Sequence, residues 1–303
     1  MTKHTQIVFF GSGPVAAKSL ELLQNNFNIE AVITKPKPAH HKNSFPVIDI
    51  CEKYKIPYIT CTNKNELSKL IAQSQFKSEI GVLIDYGIIV NQDVIDAFPL
   101  GIVNSHFSIL PDLRGADPIT FAILSGQKTT GVSLMLLVKE MDEGPLIAYG
   151  EYKLPQTITT PLLTEHLIQF SDKLLVAELP KYIANGITFP QSITGRKTSY
   201  SKKLTKNDGL LDWNLPATIL ERQIRAFIEW PKSYTKIADI NITVTKAEVV
   251  KKIGETGDII IKDKQLIVNC AEDALRIISL IPTGKKEMTT EAFLNGHKNL
   301  LDY

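Results

Sequence analysis

The first half of the chain alternates short apolar runs with stretches of helical spacing. Ile7-Val8-Phe9-Phe10 is closed by Gly11-Ser12-Gly13, and 15–24 then repeats its apolar positions every three or four residues. The pattern recurs, predicting strands at 29–33, 57–60, 80–84 and 101–104 with helices at 46–54, 65–72 and 91–97 between them. A helix over 118–125 and a strand over 131–138 follow. The 80–84 run is almost wholly apolar, as a strand covered on both faces requires. Strands joined through helices imply an α/β fold, a doubly wound, Rossmann-like, mostly parallel sheet with right-handed crossovers.

Past about residue 155 the pattern changes. A long helix is predicted over 162–183, ending near Asn185-Gly186. Residues 188–201 are polar and carry Pro190, Gly195 and Lys197, which reads as an exposed connector. A helix at 217–227 precedes short strands at 234–237, 242–250, 257–261, 265–269 and 275–280, a spacing that suggests a small β-barrel. The expected organisation is a domain over 1–187, a linker over 188–206 and a second domain over 207–303.

Composition narrows the classes. With 44% apolar residues in 303, the chain supports a proper core and is not disordered. Its 34 basic and 32 acidic side chains leave a net charge of +2, too small to argue for nucleic acid alone. Cys51, Cys61 and Cys270 lack CxxC spacing and read as small buried hydrophobes in a reducing compartment. The first residues lack the apolar core of a signal peptide, and no apolar run reaches the roughly 18 residues that span a bilayer. The reading is a cytoplasmic protein with no membrane contact.

Candidate chemistry gathers at the end of the 101–104 strand. Asn104 and His106 are two residues apart, so an extended backbone points both to one side. Sites in open α/β sheets form beyond the carboxyl ends of strands. Asp142 follows in Met141-Asp142-Glu143-Gly144. An amide N–H can hold a carbonyl oxygen that is becoming an oxyanion, an imidazole exchanges protons near neutrality, and a carboxylate orients the ring. These are the parts needed for acyl transfer to an amine, although each residue alone is more ordinarily a cap, a core histidine or a turn acid.

Other features are weaker. Gly11-Ser12-Gly13 resembles the start of a dinucleotide fingerprint, but Pro14 sits in the turn and no acid ends the second strand. A plain strand-to-helix turn is favoured there, with an anion at the helix start as the alternative. Residues 86–90 form either an ordinary turn or a loop whose backbone groups face a flat heterocycle. Arg114 either binds an acid or packs against one. His40-His41 with Lys42 lie in a basic loop that is either solvated or anion-binding, and adjacent histidines do not chelate a metal easily. The lysines at 202, 203, 285 and 286 are ordinarily wet surface.

Together these residues resemble the methionyl-tRNA formyltransferases, within the broader folate-dependent formyltransferase superfamily. The resemblance rests on Asn104-Ser105-His106, Ser108-Ile109-Leu110-Pro111, Arg114-Gly115-Ala116-Asp117-Pro118 and Met141-Asp142-Glu143-Gly144. Its C-terminal part rests on Tyr200-Ser201-Lys202-Lys203-Leu204, Leu211-Asp212-Trp213, 221–227, Trp230-Pro231 and Gly284-Lys285-Lys286. The resemblance implies an OB-like, tRNA-binding C-terminal domain and transfer of a formyl group from 10-formyltetrahydrofolate to the α-amine of methionyl-initiator tRNA. Asn104, His106 and Asp142 would be catalytic. Tyr86, Gly87, Ile88, Ile89, Val90, Ser108, Leu110, Pro111, Val138 and Met141 would face the folate. Lys42, Arg114, Lys202, Lys203, Arg225, Lys285 and Lys286 would face the tRNA. No metal is implied, and a monomer is expected.

Two departures stand out. The 34–45 loop is shorter than the family pattern and lacks its arginine, leaving Lys42, and Asp85 stands where a small residue is usual. Two other readings stay open: a formyltransferase acting on an amino sugar or nucleotide amine, and a tRNA-binding protein with an inert catalytic domain.

Overall fold

The structure, a computed structural model, describes residues 5–37 and 45–297. Lys42 and the His40-His41 pair lie outside the described residues. The chain begins β1 (Gln6–Phe10), α1 (Pro14–Leu23), β2 (Asn28–Thr34), α2 (Pro46–Tyr54), β3 (Tyr58–Thr60), α3 (Lys64–Gln73), β4 (Gly81–Leu83), α4 (Gln92–Asp96) and β5 (Ile102–His106). It continues through β6 (Arg114–Gly115), α5 (Pro118–Leu124), β7 (Thr129–Leu136), β8 (Leu146–Lys153) and α6 (Thr160–Asn185).

A seven-stranded sheet runs in the order β3-β2-β1-β4-β5-β7-β8. Its first five strands pair in parallel, and β7 and β8 pair antiparallel. The sequence thus predicts a mostly parallel, Rossmann-like sheet correctly. The order reverses between β1 and β4, the topological switch point of such folds. β1 lies inside the sheet between β2 and β4, and Ile7, Val8, Phe9 and Phe10 are all fully buried. Phe10 packs edge-on against Tyr86 and Phe98, with ring centroids 5.7 and 5.8 Å apart.

Two elements differ from expectation. β8 was not predicted, because Ala148 and Gly150 blur its alternation of buried and exposed positions. It is an edge strand and so only half covered. The 188–201 stretch is not a loose connector. It holds a short 3₁₀ turn at Gln191–Thr194 and a two-residue strand, β9 (Tyr200–Ser201), parallel to β6. Gln191 and Ser201 are buried. Local polarity misled here, since these side chains are satisfied by long-range partners that one-dimensional spacing does not reveal.

Contacts divide the chain into two compact units. One comprises residues up to Pro118, Thr129–Lys153 and Thr164–Ser201; the other comprises Ile119–Lys128, Leu154–Leu163 and the chain from Lys202. The second unit contains α7 (Ala217–Ala226), β10 (Ser233–Ile237), β11 (Ile240–Val250), β12 (Ile259–Lys262), β13 (Gln265–Asn269), β14 (Ala274–Pro282), β15 (Met288–Thr289) and α8 (Thr290–Gly296). Its strands form a six-stranded antiparallel sheet, ordered β10-β11-β14-β13-β12 with β15 on β14. Register irregularities in β11 at Val244–Ala247 add the bend and twist a curling sheet needs. Leu220 and Ile224 of α7 pack with Val244, Val268, Leu275 and Leu280. Among the described residues no helix is long and apolar enough to cross a membrane.

Leu220 is fully buried while Leu162 on α6 is 52% exposed. Leu220→Ala is expected to lower unfolding free energy by about 2–5 kcal/mol in urea titration. Leu162→Ala should change it by less than about 0.5 kcal/mol. Equal losses would mean that the core assignment is wrong.

Candidate active site

β5 ends in Asn104-Ser105-His106, and all three side chains are buried. Strand alternation separates them: the Ser105 hydroxyl pairs with that of Ser171 at 2.7 Å, leaving Asn104 and His106 on the opposite face. Leu83 of β4 and Met135 of β7 flank Asn104 in register. His106 Nε2 lies 3.0 Å from the Leu113 carbonyl oxygen. A carbonyl only accepts, so Nε2 carries a hydrogen and donates it. That fixes the tautomer and leaves Nδ1 as the nitrogen without a hydrogen in the neutral ring.

Nδ1 faces Asp142. The Asp142 Oδ2 is 3.8 Å away, and Oδ1 is 3.5 Å from Asn104 Nδ2. Oδ2 also accepts the Gly115 N–H at 2.7 Å. The Asp142 side chain is 12% exposed, and its backbone is left-handed, with φ of +54°. The structure therefore brings Asn104 and His106 together around one carboxylate. At 3.8 Å the His–Asp contact is an ion-pair distance rather than a direct hydrogen bond. The set offers one amide N–H, one imidazole nitrogen of fixed tautomer and one nearly dry carboxylate.

Three partners of this set were not singled out in the sequence as such. Leu113 supplies the carbonyl and Gly115 the amide. Gly115 has a φ of +106°, and a Cβ there would come within 2.4 Å of the Ser201 carbonyl oxygen, so only glycine lets β9 lie against β6. The third is Gln191, whose Nε2 donates to the carbonyls of Asp142 at 2.8 Å and Gly144 at 2.9 Å. The Arg-Gly dipeptide was a usable signal; the Gln191 contact spans 49 residues and had none.

Around the loop expected to face a heterocycle, the side chains divide. Tyr86 is 2% exposed, its hydroxyl meets Cys61 Sγ at 3.0 Å, and its carbonyl accepts the Ser12 hydroxyl at 2.7 Å. The Tyr86 side chain is a core bolt, not a contact surface. Leu110 is fully buried against Met135 and Leu146, Pro111 is buried, and the Ser108 hydroxyl donates to the Asp112 carbonyl at 2.5 Å. These three side chains build the loop rather than offer surface. Gly87, Ile89 and Met141 are exposed, and Ile88, Val90 and Val138 are half-buried.

The cations expected to face nucleic acid also divide. Arg114 donates to Glu143 at 2.8 Å and to Gln191 Oε1 at 2.7 Å, and its side chain is only 12% exposed. Arg225 grips Glu221 through two nitrogens at 2.6 and 3.0 Å and the Ile158 carbonyl at 2.8 Å. Both guanidinium groups are therefore tied up inside their own units. Lys202 is exposed and paired with Asp208 at 2.5 Å. Lys203, Lys285 and Lys286 are exposed.

The glycine turn after β1 accommodates Asp85. A Cβ on Gly13 would come within 1.9 Å of Asp85 Oδ2, so Gly13 makes room for that carboxyl. The Ser12 and Gly13 amides donate to the Asp85 carbonyl at 3.0 and 3.3 Å. Asp85 is exposed as a residue, but its carboxyl end is crowded against the Gly13 turn, and loss of water there pushes its pKa up to about 6. Hydrogen bonds from the Ala16 and Val15 amides and the nearby Lys35 charge pull the other way, more weakly. The chain thus places its own carboxyl at the start of α1, where an external anion was the sequence alternative.

Comparison with known proteins agrees with this architecture. The formyl transferase family model matches residues 5–179, and the model of the formyl transferase C-terminal domain matches 203–298. The chain is 33% identical to methionyl-tRNA formyltransferase of Chloroflexus aurantiacus, with 96% of each chain covered. Among solved structures it is similar to an N-formyltransferase from Helicobacter canadensis, crystallised with folinic acid and dTDP-3-aminofucose. The TM-score is 0.68 at 18% identity, covering 91% of this chain and 99% of that one. It is also similar to HypX from Aquifex aeolicus in complex with tetrahydrofolic acid, with a TM-score of 0.64 at 13% identity. That match covers 96% of this chain but only 47% of the longer HypX chain.

The Asp85 carboxyl should titrate near pH 6 by carbon NMR, against about 3.9 for an ordinary aspartate. Its folded pKa lies above the unfolded one, so its contribution to stability is fully present below about pH 4 and is lost as pH rises through 6. Asp85→Asn should therefore gain stability relative to the parent protein between pH 4 and 7. A midpoint near 4 would reject the crowding account.

Proposed function

The chain belongs to the formyl transferase family, and from that premise we propose that it moves a formyl group from 10-formyltetrahydrofolate to the α-amine of methionyl-initiator tRNA, as a cytoplasmic monomer. The observation that carries this reading is the convergence of Asn104 and His106 on Asp142 at the end of β5. The likeness over nearly its full length to a methionyl-tRNA formyltransferase supports the choice of acceptor.

In this reaction the neutral amine attacks the formyl carbon, the carbonyl oxygen gains charge, and the bond from that carbon to the donor nitrogen breaks. The Asn104 amide and the His106 Nδ1–H in its protonated form are suited to hold the developing oxyanion. Asp142 steadies the imidazolium and takes up the proton shed by the attacking amine, and an equivalent proton is delivered to the donor nitrogen as it leaves. The fixed Nε2–H keeps Nδ1 turned inward through both steps. On this reading 87–90, Val138 and Met141 border the donor, and Lys42, Lys202, Lys203, Lys285 and Lys286 contribute charge for the RNA. Arg114 and Arg225 act through the loops they tie down.

Purified protein mixed with charged initiator tRNA and 10-formyltetrahydrofolate should yield formylmethionyl-tRNA. In that assay His106→Ala should lower turnover by roughly 10²-fold or more without unfolding the protein. A loss under threefold removes His106 from the chemistry. Transfer to a sugar nucleotide amine and not to tRNA would favour the amino-sugar reading, and binding without transfer the inert one.

Replacing Lys285 and Lys286 with alanine should weaken tRNA binding and reduce the slope of log affinity against log salt by about 2. An unchanged slope would make these lysines bystanders.

A further inference from the structure

Asp142 occupies an awkward position. Its φ of +54° places it in the left-handed region, which favours glycine, although aspartate tolerates it better than most other residues do. Its neighbours Met141 and Glu143 are exposed, so little packing holds the turn from outside. Left alone, such a turn relaxes and takes the carboxylate with it. Misplacing a reacting group by about 1 Å can cost on the order of 10²-fold in rate.

The restraint comes from Gln191. The residue is 7% exposed, and its carboxamide is saturated. Nε2 donates both hydrogens, to the carbonyls of Asp142 and Gly144, two residues apart across the turn. Oε1 accepts from Arg114 Nη2 at 2.7 Å and Nε at 3.3 Å. Arg114 then reaches Glu143 through Nη1 at 2.8 Å. One amide plane thus fastens 142–144 to the Arg114-Gly115 strand, and the Gly115 N–H grips the carboxylate itself. Gln191 is anchored in turn: Thr194 Oγ1 donates to the Leu110 carbonyl at 2.8 Å, and Phe189 and Leu146 exchange two backbone hydrogen bonds at 2.7 Å. Glutamate could accept from Arg114 but has no N–H for the carbonyls.

We propose that Gln191 is a positioning residue for formyl transfer, setting the Asp142 carboxylate against His106 and Asn104 from outside the reacting set. The proposal rests on the reading of Asp142 given under Proposed function. Gln191 touches neither substrate; it acts through the backbone of Asp142 and through Arg114.

Gln191→Glu and Gln191→Met keep the length of the side chain and remove the two donated hydrogens. In the formylation assay both should lower kcat by at least 10-fold, leave KM for donor and acceptor within about twofold, and displace the kcat–pH profile along the pH axis. Amide hydrogen exchange of Gly115 should quicken at least 10-fold in both, while exchange in β1 stays as in the parent protein. That second readout needs no substrate. If the parent protein formylates no amine, the functional reading fails while Gly115 exchange still tests the clasp. A kcat within threefold of the parent with an unchanged pH profile overturns the proposal, as does unchanged Gly115 exchange. If Gln191→Glu fails to fold, Gln191→Met, which carries no charge, decides the matter.

Discussion

A carboxylate taken largely out of water needs partners for both oxygens, and Asp142 draws its partners from separate stretches of chain. Asn104 comes from β5 and Gly115 from the short strand after it, while Gln191 holds the backbone from a turn far downstream. Leaving a buried charge unpaired costs more than a paired one contributes. The carboxylate is therefore a demand that the remaining loops are arranged to meet. The 111–117 loop, the 138–145 turn and the 189–201 stretch find their mutual register through it.

The sheet explains why these parts meet where they do. β5 is the last parallel strand, and its next neighbour β7 runs the other way. β7 and β8 form an antiparallel pair, so the 137–145 segment joins them with no helix between. β7 ends beside the start of β5, with Leu136 paired to Val103, and the 137–145 segment that follows folds back to bring Asp142 to Asn104 and His106. Ser133 of β7 adds a local brace: its hydroxyl accepts the Leu110 N–H at 3.0 Å and donates to the Ser108 carbonyl at 2.8 Å. The loop after His106 is thus pinned to the strand whose far end leads to Asp142.

Much of this was legible from one sequence, for a physical reason. β1 and the 80–84 run around β4 are covered on both faces, so their apolar runs are nearly continuous and hard to mistake. Asn104 and His106 were legible because a period of two is a local property. Asp142 was legible through the Met141-Asp142-Glu143-Gly144 element that carries the family resemblance, since a lone turn acid says nothing of its partners. β8 was lost because an edge strand with glycine and alanine on its covered face carries little apolar signal. Gln191 was lost because polar residues read as solvated unless their partners are known. The same limit applies to Arg114 and Arg225, which the resemblance turns toward RNA and which Glu143 and Glu221 hold within the fold.

The turn after β1 shows how such a sheet can move its site. In a doubly wound sheet the first helix presents unpaired N–H groups and a positive dipole end at the switch point, which ordinarily favours an anion there. Here Gly13 clears space and Asp85 fills it, with the Val15 and Ala16 amides bonded to its carboxyl. The left-handed backbone at Asp85, with φ of +48°, turns its side chain back over α1 as the chain leaves β4. An internal anion at that position meets the helix's electrostatic need and repels a second anion. The glycine-rich turn then serves packing, and Ser12 and Asp85 stitch it to the loop that begins at Tyr86. With that corner closed, the open chemistry lies two strands along, at the end of β5, where a neutral amide and an imidazole suit a developing oxyanion better than a standing phosphate.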